Sequence, residues 1–446
     1  MLTKNMNFPP DFVWGAATSA FQIEGAALDD GRAASIWDTF CRTQGAIVDA
    51  SNGDVACDHY HRLDDDLDLM ASLGLKAYRF STSWSRVQPS GAGAWNEKGL
   101  DFYDRLLDGL RSRGIKPYLT LYHWDLPQTL QDKGGWASRD TVARFVEYSL
   151  AMSERYADRV ESIATFNEPW IVATLGHEQG IFAPGIKDRR MATQVSHHLL
   201  LAHGMAVNAM RAAGVTVPLG IVLNQGPIVP AADTEPDRTR ARLEDGLLIR
   251  WYMDALFRGR YPADVLEHLG EDAPTVEEGD MRIIRTPIDF LGLNYYTRSI
   301  VGSEPNPLAP DTEVTDMGWE VYPQGLTELL VRLRRDYPLP PIYITENGAA
   351  YPDVPVSANR VQDPLRCEYL RRHIGAVRDA IEADVDVRGY FVWSLFDNFE
   401  WAFGYSKRFG MVYIDYDTQA RIPKDSAYWF RDFVAGQNAR QSAATP

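Results

Sequence analysis

The sequence has few cysteines and no excess of positive charge. Its 446 residues include only Cys41, Cys57 and Cys367, which lie far apart and in no metal-binding spacing. This pattern argues against a disulfide framework and fits a protein of the reducing cytoplasm. The formal net charge of −16 argues against a surface for nucleic acid or an anionic membrane, because either partner would require a basic patch.

Long apolar runs and two common targeting or binding signals are also missing. No stretch of about 18 apolar residues occurs, so we predict no membrane span. Residues 1–10 lack the basic and apolar regions of a signal peptide. The first predicted strand is not followed by G-x-G-x-x-G, which argues against a doubly wound dinucleotide-binding sheet. An apolar content of 45% is nevertheless ample for a full core.

Two apolar stretches each lead directly into a glutamate. Residues 342–348 (IYITENG) read as a buried strand that stops in an Asn-Gly turn, with Glu346 at its end. Residues 162–169 (SIATFNEP) follow the same plan, with Glu168 before Pro169. A carboxylate on a buried strand costs several kcal/mol unless it is paired or hydrogen-bonded. A structural salt bridge would explain either glutamate alone, whereas two that converge could perform acid–base and nucleophilic chemistry.

Predicted strands and helices alternate about eight times along the chain. Helical patterns include residues 62–73, 97–113, 139–156, 198–211, 243–257 and 323–335, and strands lie between them. Such alternation indicates parallel βαβ units, and eight of them predict a closed (β/α)₈ TIM barrel. The chain exceeds the roughly 250 residues of a bare barrel, and the excess falls in extended βα loops, at about 24–61, 302–320 and 397–423. We therefore predict a single barrel domain over residues 1–446.

Polar or aromatic residues stand repeatedly at the ends of these strands. In a barrel all such ends meet on one face, where barrel enzymes keep their chemistry. A satisfied hydrogen bond explains any one of them, but not the whole set. The residues are Arg79, His123, Asn167, Glu168, Asn224, Asn294, Tyr296, Glu346 and Trp393.

Six short motifs of distinctive composition occur along the chain. They are residues 12–25 (FVWGAATSAFQIEG), 78–81 (YRFS), 123–127 (HWDLP), 165–169 (TFNEP), 344–348 (ITENG) and 393–401 (WSLFDNFEW). In this order and spacing they resemble the motifs of a known family, the family 1 glycoside hydrolases of the β-glucosidase type, and the resemblance covers essentially the whole chain.

The resemblance implies a role for individual residues. Glu168 matches the general acid/base and Glu346 the nucleophile. The residues that match those binding the nonreducing sugar, including its aromatic floor, are Gln22, His123, Asn167, Tyr296, Trp393, Glu400 and Trp401. Arg79 and Asn294, together with Tyr296, match residues packed around the nucleophile, and Trp170, Leu175 and Trp319 lie where the family meets the leaving group.

The implied activity is hydrolysis of the nonreducing terminal β-D-glucosyl residue of small glycosides and cello-oligosaccharides, with retention of configuration. Retention requires two carboxyls about 5–5.5 Å apart and a covalent glycosyl-enzyme. We expect Glu168 to have a higher pKa than Glu346, because it must begin protonated. Glu400 would repel a 6-phosphate, so a non-phosphorylated sugar is favoured.

Two other functions remain open at this stage. A transglycosidase would share the mechanism but transfer the sugar to an acceptor, and a barrel that only binds sugar would lack the chemistry. The sequence distinguishes neither glucose from galactose or fucose nor one oligomeric state from another. His59 and His61, beside Asp58, could suggest a metal site. No cysteine lies nearby and no third ligand can be placed, so we predict no metal and no cofactor.

Overall fold

Eight parallel strands close into a barrel in the computed structural model, which describes residues 8–302, 308–357 and 359–444. Each strand pairs with its sequence neighbours, and the first pairs with the last. The predicted (β/α)₈ barrel is therefore confirmed. The strands are β1 (Val13–Ala17), β2 (Ala77–Ser81), β3 (Lys116–Tyr122), β4 (Ser162–Asn167), β5 (Leu219–Asn224), β6 (Phe290–Asn294), β7 (Ile342–Asn347) and β8 (Val387–Trp393).

Helices connect successive strands and cover the outside of the barrel. In α2, for example, Leu100, Tyr103, Leu107 and Leu110 are buried at helical spacing, as the apolar pattern predicts. The longer helices are α1 (Leu63–Ser72), α2 (Glu97–Ser112), α3 (Arg139–Tyr156), α4 (Arg189–Ala212), α5 (Glu235–Asp245), α6 (Trp251–Arg258), α7 (Pro323–Asp336), α8 (Pro364–Glu382) and α9 (Asp425–Ala444). No helix among the described residues is long and apolar enough to cross a membrane.

Short elements fill the loops between strands and helices. The short α-helices are Ala20–Ile23, Ile36–Phe40, Trp84–Val87, Gln128–Gln131, Ala263–Leu269 and Asp280–Ile284. The 3₁₀ turns are Gly135–Ala137, Gly270–Asp272 and Trp401–Phe403, and the π-helical segments are Ile171–Glu178 and Gly246–Arg250. Three two-stranded sheets pair Ile228–Pro230 with Ser299–Val301, Pro355–Ser357 with Arg360–Val361, and Val412–Asp415 with Ala420–Pro423.

Two predicted helices differ from the observed ones. The helix predicted over residues 198–211 begins at Arg189, where the side chain of Asp188 accepts a hydrogen bond from the Met191 amide and caps it. The helix predicted over 243–257 is split by the π-helical segment Gly246–Arg250. Part of the predicted loop at 302–320, residues 303–307, lies outside the described residues.

The core includes a large cluster outside the barrel and smaller clusters inside it, one of which contains Ala164, Val222 and Phe290. The large cluster lies between strands and helices and contains most of the buried leucine, isoleucine and valine side chains. Another inner cluster includes Tyr118, Phe391 and Trp393. A packed interior of this kind leaves no pore, so substrates reach the barrel only at its ends.

Strand register gathers the predicted polar residues at the carboxyl end of the barrel. Asn294 pairs with both Asn224 and Glu346, and Ala17 pairs with both Arg79 and Trp393. The predicted meeting of strand ends is thus confirmed by direct pairing.

Gly348 allows β7 and β8 to approach closely just beyond Glu346. A Cβ atom at this position would lie 1.6 Å from the carbonyl oxygen of Trp393. No side chain fits there, and the backbone of β8 cannot give way without moving Trp393 itself. The glycine that the sequence places after the strand is therefore required by steric fit at this position.

We expect Gly348→Ala to lower the free energy of unfolding by about 1–3 kcal/mol, because overpacking forces the backbone apart. Thermal unfolding followed by circular dichroism measures the effect as a lower Tm. Gly375→Ala is the matched control, since nothing lies within 4 Å of a Cβ there and alanine favours the helix. Equal Tm values for the two variants would contradict the steric argument.

Candidate active site

A cavity of about 410 Å³ opens at the carboxyl end of the barrel. Both predicted catalytic glutamates line it, together with Asn294 and Tyr296. The volume lies within the roughly 300–1,000 Å³ typical of small-molecule sites. The two glutamates that the sequence placed at separate strand ends are therefore brought to one cavity.

Glu168 is held by an unusual backbone conformation immediately after β4. Its φ of 49° is in the left-handed region, which non-glycine residues seldom adopt. Its amide donates to the Val222 carbonyl oxygen at 2.9 Å, which ties the turn to β5. Trp124 and Trp401, which also line the cavity, have φ values of 77° and 53°. Such strained residues persist where the surrounding structure fixes them, and they cluster at functional sites.

Glu346 lies near the end of β7 and is clamped by two donors. Arg79 donates from Nη1 to Oε1 at 2.6 Å, and the Tyr296 hydroxyl donates to Oε2 at 2.7 Å. The side chains of Arg79 and Glu346 are buried, that of Glu346 being 4% exposed, and Tyr296 is partly buried. A buried carboxylate with a charged and a neutral donor is stabilised as the anion.

Asparagine side chains connect the two carboxyl groups. Asn294 donates from Nδ2 to Glu168 Oε1 at 2.5 Å and to Asn167 Oδ1 at 3.1 Å. Asn167 Oδ1 also accepts from Arg79 Nη2 at 2.6 Å. A single chain of hydrogen bonds therefore runs from Glu346 through Arg79 and the two amides to Glu168.

The electrostatic environments of the two glutamates differ. Burial raises the pKa of Glu168 well above the usual glutamate range, the charge of Glu346 adds to this, and Asn294 and Arg79 act against it. Burial also raises the pKa of Glu346, but the charge of Arg79 and the hydrogen bonds of Tyr296 and Arg79 oppose that shift. The site thus favours a protonated Glu168 beside an ionised Glu346, the division of labour that acid and nucleophile need.

His123 is neutral and has a defined tautomer. Burial and the nearby charge of Arg79 hold its pKa well below the usual histidine range. Because Asn167 Oδ1 accepts from Arg79, its Nδ2 is the atom that donates to His123 Nε2, at 3.1 Å. The proton therefore resides on Nδ1, which has no protein partner among the described residues. His123 lines the cavity with this ring.

Gln22 and Glu400 form a second polar group at the cavity wall. Gln22 Nε2 donates to Asn398 Oδ1 at 2.9 Å and approaches Glu400 Oε2 at 3.4 Å. Burial raises the pKa of Glu400 to about 8, the charge of Glu346 adds to the shift, and hydrogen bonds from Trp393 and Gln22 oppose it. The Glu400 carboxyl faces the cavity and can exchange hydrogen bonds with hydroxyl groups there.

Aromatic rings form one side of the cavity. His123 is nearly parallel to Trp393 and to Trp401, with ring centres 5.8 Å and 6.0 Å apart. Trp401 is itself supported by Phe21, which is stacked on it, and by Trp124. Flat apolar surfaces with polar edges suit the C–H faces and hydroxyl rims of sugars.

The residues predicted for the leaving-group side lie along another part of the same cavity. Trp170 and Leu175 belong to the segment that follows Glu168, and Trp319 packs near Tyr296 with ring centres 5.3 Å apart. All the predicted site residues except Gln22, Arg79 and Asn167 line the cavity. Those three lie beneath it and contact lining residues through hydrogen bonds.

Sequence reasoning missed several lining residues. They include Ile171, Phe182, Gln225, Met317, Phe403 and Phe409. Gln225 follows the strand-end residue Asn224 and could have been found from that position. Ile171 belongs to the π-helical segment Ile171–Glu178, and the others come from loops and the 3₁₀ turn Trp401–Phe403, where no periodic pattern indicates which side chain turns inward.

The two histidines considered as metal ligands have other partners. His59 is buried and bonds through Nδ1 to Asp66 at 2.7 Å, and His61 pairs with Asp58 and Asp29 at the surface. Within the described ranges, no group of three or more His, Cys, Asp or Glu side chains could hold a metal ion.

Known proteins match this chain over nearly its whole length. The chain is 46% identical over 440 residues to β-glucosidase A of Acetivibrio thermocellus, covering 96% of this chain and 98% of that protein. It is 47% identical over 434 residues to β-glucosidase A of Thermotoga maritima, covering 96% and 97%. A solved structure of β-glucosidase from T. maritima in complex with glucoimidazole superimposes with a TM-score of 0.94 at 46% identity, covering 97% of this chain and 99% of that one.

The family model described as glycosyl hydrolase family 1 matches residues 4–439, which include every predicted site residue. With this match and the relatives above, the chain belongs to glycosyl hydrolase family 1.

Proposed function

We propose that this protein is a retaining β-glucosidase that removes the nonreducing terminal β-D-glucosyl residue from small glycosides and cello-oligosaccharides. The observation that carries the proposal is the asymmetry of the two buried carboxyls. Glu346 receives a charged donor and a phenol, whereas Glu168 receives only an amide. Relatives named β-glucosidase support the substrate class.

We also propose that residues 1–446 act as one catalytic domain. Because all three cysteines are free thiols, we further propose that the protein works in the cytoplasm.

The proposed reaction proceeds in two displacements. Glu168 gives its proton to the glycosidic oxygen while the Glu346 carboxylate attacks C1, so that the leaving group departs as an alcohol and a glycosyl ester remains. Formation of the ester removes the negative charge of Glu346, which lowers the pKa of Glu168. Glu168 then accepts a proton from water as the water oxygen attacks C1. The ester bond breaks, and Glu346 is again a carboxylate.

The sugar-binding residues are proposed to recognise a plain, non-phosphorylated hexose. Among the described residues the His123 Nδ1–H has no protein partner, and the Glu400 carboxyl, which Gln22 contacts from beneath, faces the cavity where it can exchange hydrogen bonds with hydroxyl groups. Asn167 lies between the two carboxyls, where an amide can bond the 2-hydroxyl. A 6-phosphate near Glu400 would meet a carboxyl and no cation among the residues that line the cavity in the described ranges.

Removing the nucleophile tests the proposal directly. We expect Glu346→Ala to lower kcat for p-nitrophenyl β-D-glucoside by about 10⁴-fold or more, because no covalent intermediate can form. Added azide should restore p-nitrophenol release and yield the α-glucosyl azide. Glu161→Ala is the matched control, since Glu161 precedes β4 at the opposite end of the barrel. If Glu346→Ala retained most of the activity, the assignment of the nucleophile would be wrong.

The raised pKa of Glu168 predicts the alkaline side of the pH profile. The protonated form gives the active enzyme, so kcat/KM should fall as pH rises through the pKa of Glu168. In Glu168→Gln the alkaline limb should disappear. Turnover of cellobiose, in which the second glucose is a poor leaving group, should drop by about 10²–10⁴-fold, because the leaving oxygen receives no proton. An unchanged alkaline limb in this variant would assign that ionisation to another group.

The Tyr296 hydroxyl predicts the acidic side of the profile. Tyr296→Phe removes a donor that favours the anion, so the pKa of Glu346 should rise and the acidic limb of kcat/KM should move to higher pH. Tyr295→Phe is the control, because the Tyr295 hydroxyl donates to the Tyr322 carbonyl outside the cavity. Equal acidic limbs in the two variants would show that Tyr296 does not set the charge of Glu346.

A further inference from the structure

A second cavity, of about 400 Å³, lies beside the active-site cavity. It is bounded by the π-helical segment Ile171–Glu178, by the start of α4, by α5 and α6, and by the end of the short helix Ala263–Leu269. Its volume nearly equals that of the active-site cavity, and of its lining residues Trp170 alone is also a predicted site residue. A space of this size is large enough for a small organic molecule.

The floor of the second cavity is apolar, aromatic and rigid. Trp251 and Tyr252 are buried, and Ser196 fixes both, since its Oγ accepts from Trp251 Nε1 at 2.8 Å and donates to the Tyr252 hydroxyl at 3.1 Å. Trp251 is also stacked on Tyr261, with ring centres 3.9 Å apart. Trp170 adds an indole that is only partly buried. The floor is therefore aromatic and held rigidly, and Trp170 supplies the ring surface that a flat apolar face can reach.

The rim of the second cavity carries balanced charge. Arg240 donates from Nε to Glu244 at 2.8 Å, and Arg189 lies 3.8 Å from Glu178. Burial raises the pKa of Glu178, the charge of Arg189 opposes the shift, and that of Glu244 adds to it, so the two pairs lie close enough to interact. Because each carboxylate has a guanidinium beside it, the rim selects for neither an anion nor a cation.

We propose that the second cavity is a binding site for a neutral sugar, either a free hexose or a β-linked disaccharide. Sugars combine an apolar C–H face with a rim of hydroxyl groups, which matches an aromatic floor beneath paired carboxylates and guanidiniums. A purely apolar ligand would leave the charged rim unsatisfied, and a phosphate would meet Glu178 and Glu244. This inference rests on the lining of the second cavity and does not depend on the proposed reaction.

The test measures sugar binding with the active-site cavity blocked. Incubation with 2-deoxy-2-fluoro-β-D-glucosyl fluoride lets the Glu346 carboxylate displace fluoride from C1 and leaves a persistent ester, which mass spectrometry detects. Isothermal titration with glucose and with cellobiose then counts the remaining sites. We expect one remaining site for at least one of the two sugars. Failure to form the ester would count against the proposed reaction, not against the second cavity, and the titration would then use the untreated protein.

Three variants assign the remaining site. Thr174→Trp fills the second cavity from the π-helical segment, and Arg240→Ala removes one member of a rim pair. Each should weaken sugar binding to the blocked protein by at least about tenfold. Arg238→Ala is the matched control, because Arg238 lies on the same helix and pairs with Asp233 and Glu235 outside the cavity. Binding that persists in Thr174→Trp, or no binding of either sugar to the blocked wild type, would overturn the proposal.

Discussion

The buried ion pair between Arg79 and Glu346 is the interaction on which the site depends. Two carboxylates in one cavity repel each other, and burial raises the pKa of both. Arg79 stands on β2, and its two Nη atoms reach Glu346 on β7 and Asn167 on β4. Deleting one partner of such a pair typically costs about 3–5 kcal/mol, because a charge is left buried and unpaired. The closed barrel places the ends of β4 and β7 within reach of the Arg79 guanidinium on β2.

The pKa values of the two glutamates differ because the two are connected to Arg79 in different ways. Glu346 contacts the guanidinium directly, whereas Glu168 is separated from it by the amides of Asn167 and Asn294. A direct charged donor stabilises an anion more strongly than a neutral amide does. Two residues of the same type therefore acquire pKa values that are raised to different extents by their positions, that of Glu168 more than that of Glu346. Strand register fixes those positions, since Asn294 pairs with Glu346 across β6 and β7.

Much of this arrangement could be predicted from the sequence, for a local reason. An apolar run that stops at a polar residue marks a strand end, and the parallel barrel brings such ends together, so Glu168 and Glu346 could be placed before any coordinates. Long-range packing was not predictable in this way. Met317 and Phe409 enter the cavity from loops without periodicity, and the π-helical turn within residues 243–257 gives no apolar signature of its own. The start of α4 at Arg189 depended on one capping side chain, Asp188.

The two π-helical segments matter because together they separate the two cavities. In Ile171–Glu178, Ile171 and Leu175 face the active-site cavity, while Thr174 faces the second one. In Gly246–Arg250, the neighbours Leu247 and Leu248 face different cavities. Neighbouring side chains of the same segment thus line different cavities. A backbone shift that moves a side chain in one cavity therefore also moves its neighbour in the other. Trp170 lines both cavities, and the leaving group and an occupant of the second cavity would therefore contact the same indole. π-Helical turns recur at functional sites, and here they place two cavities on one wall.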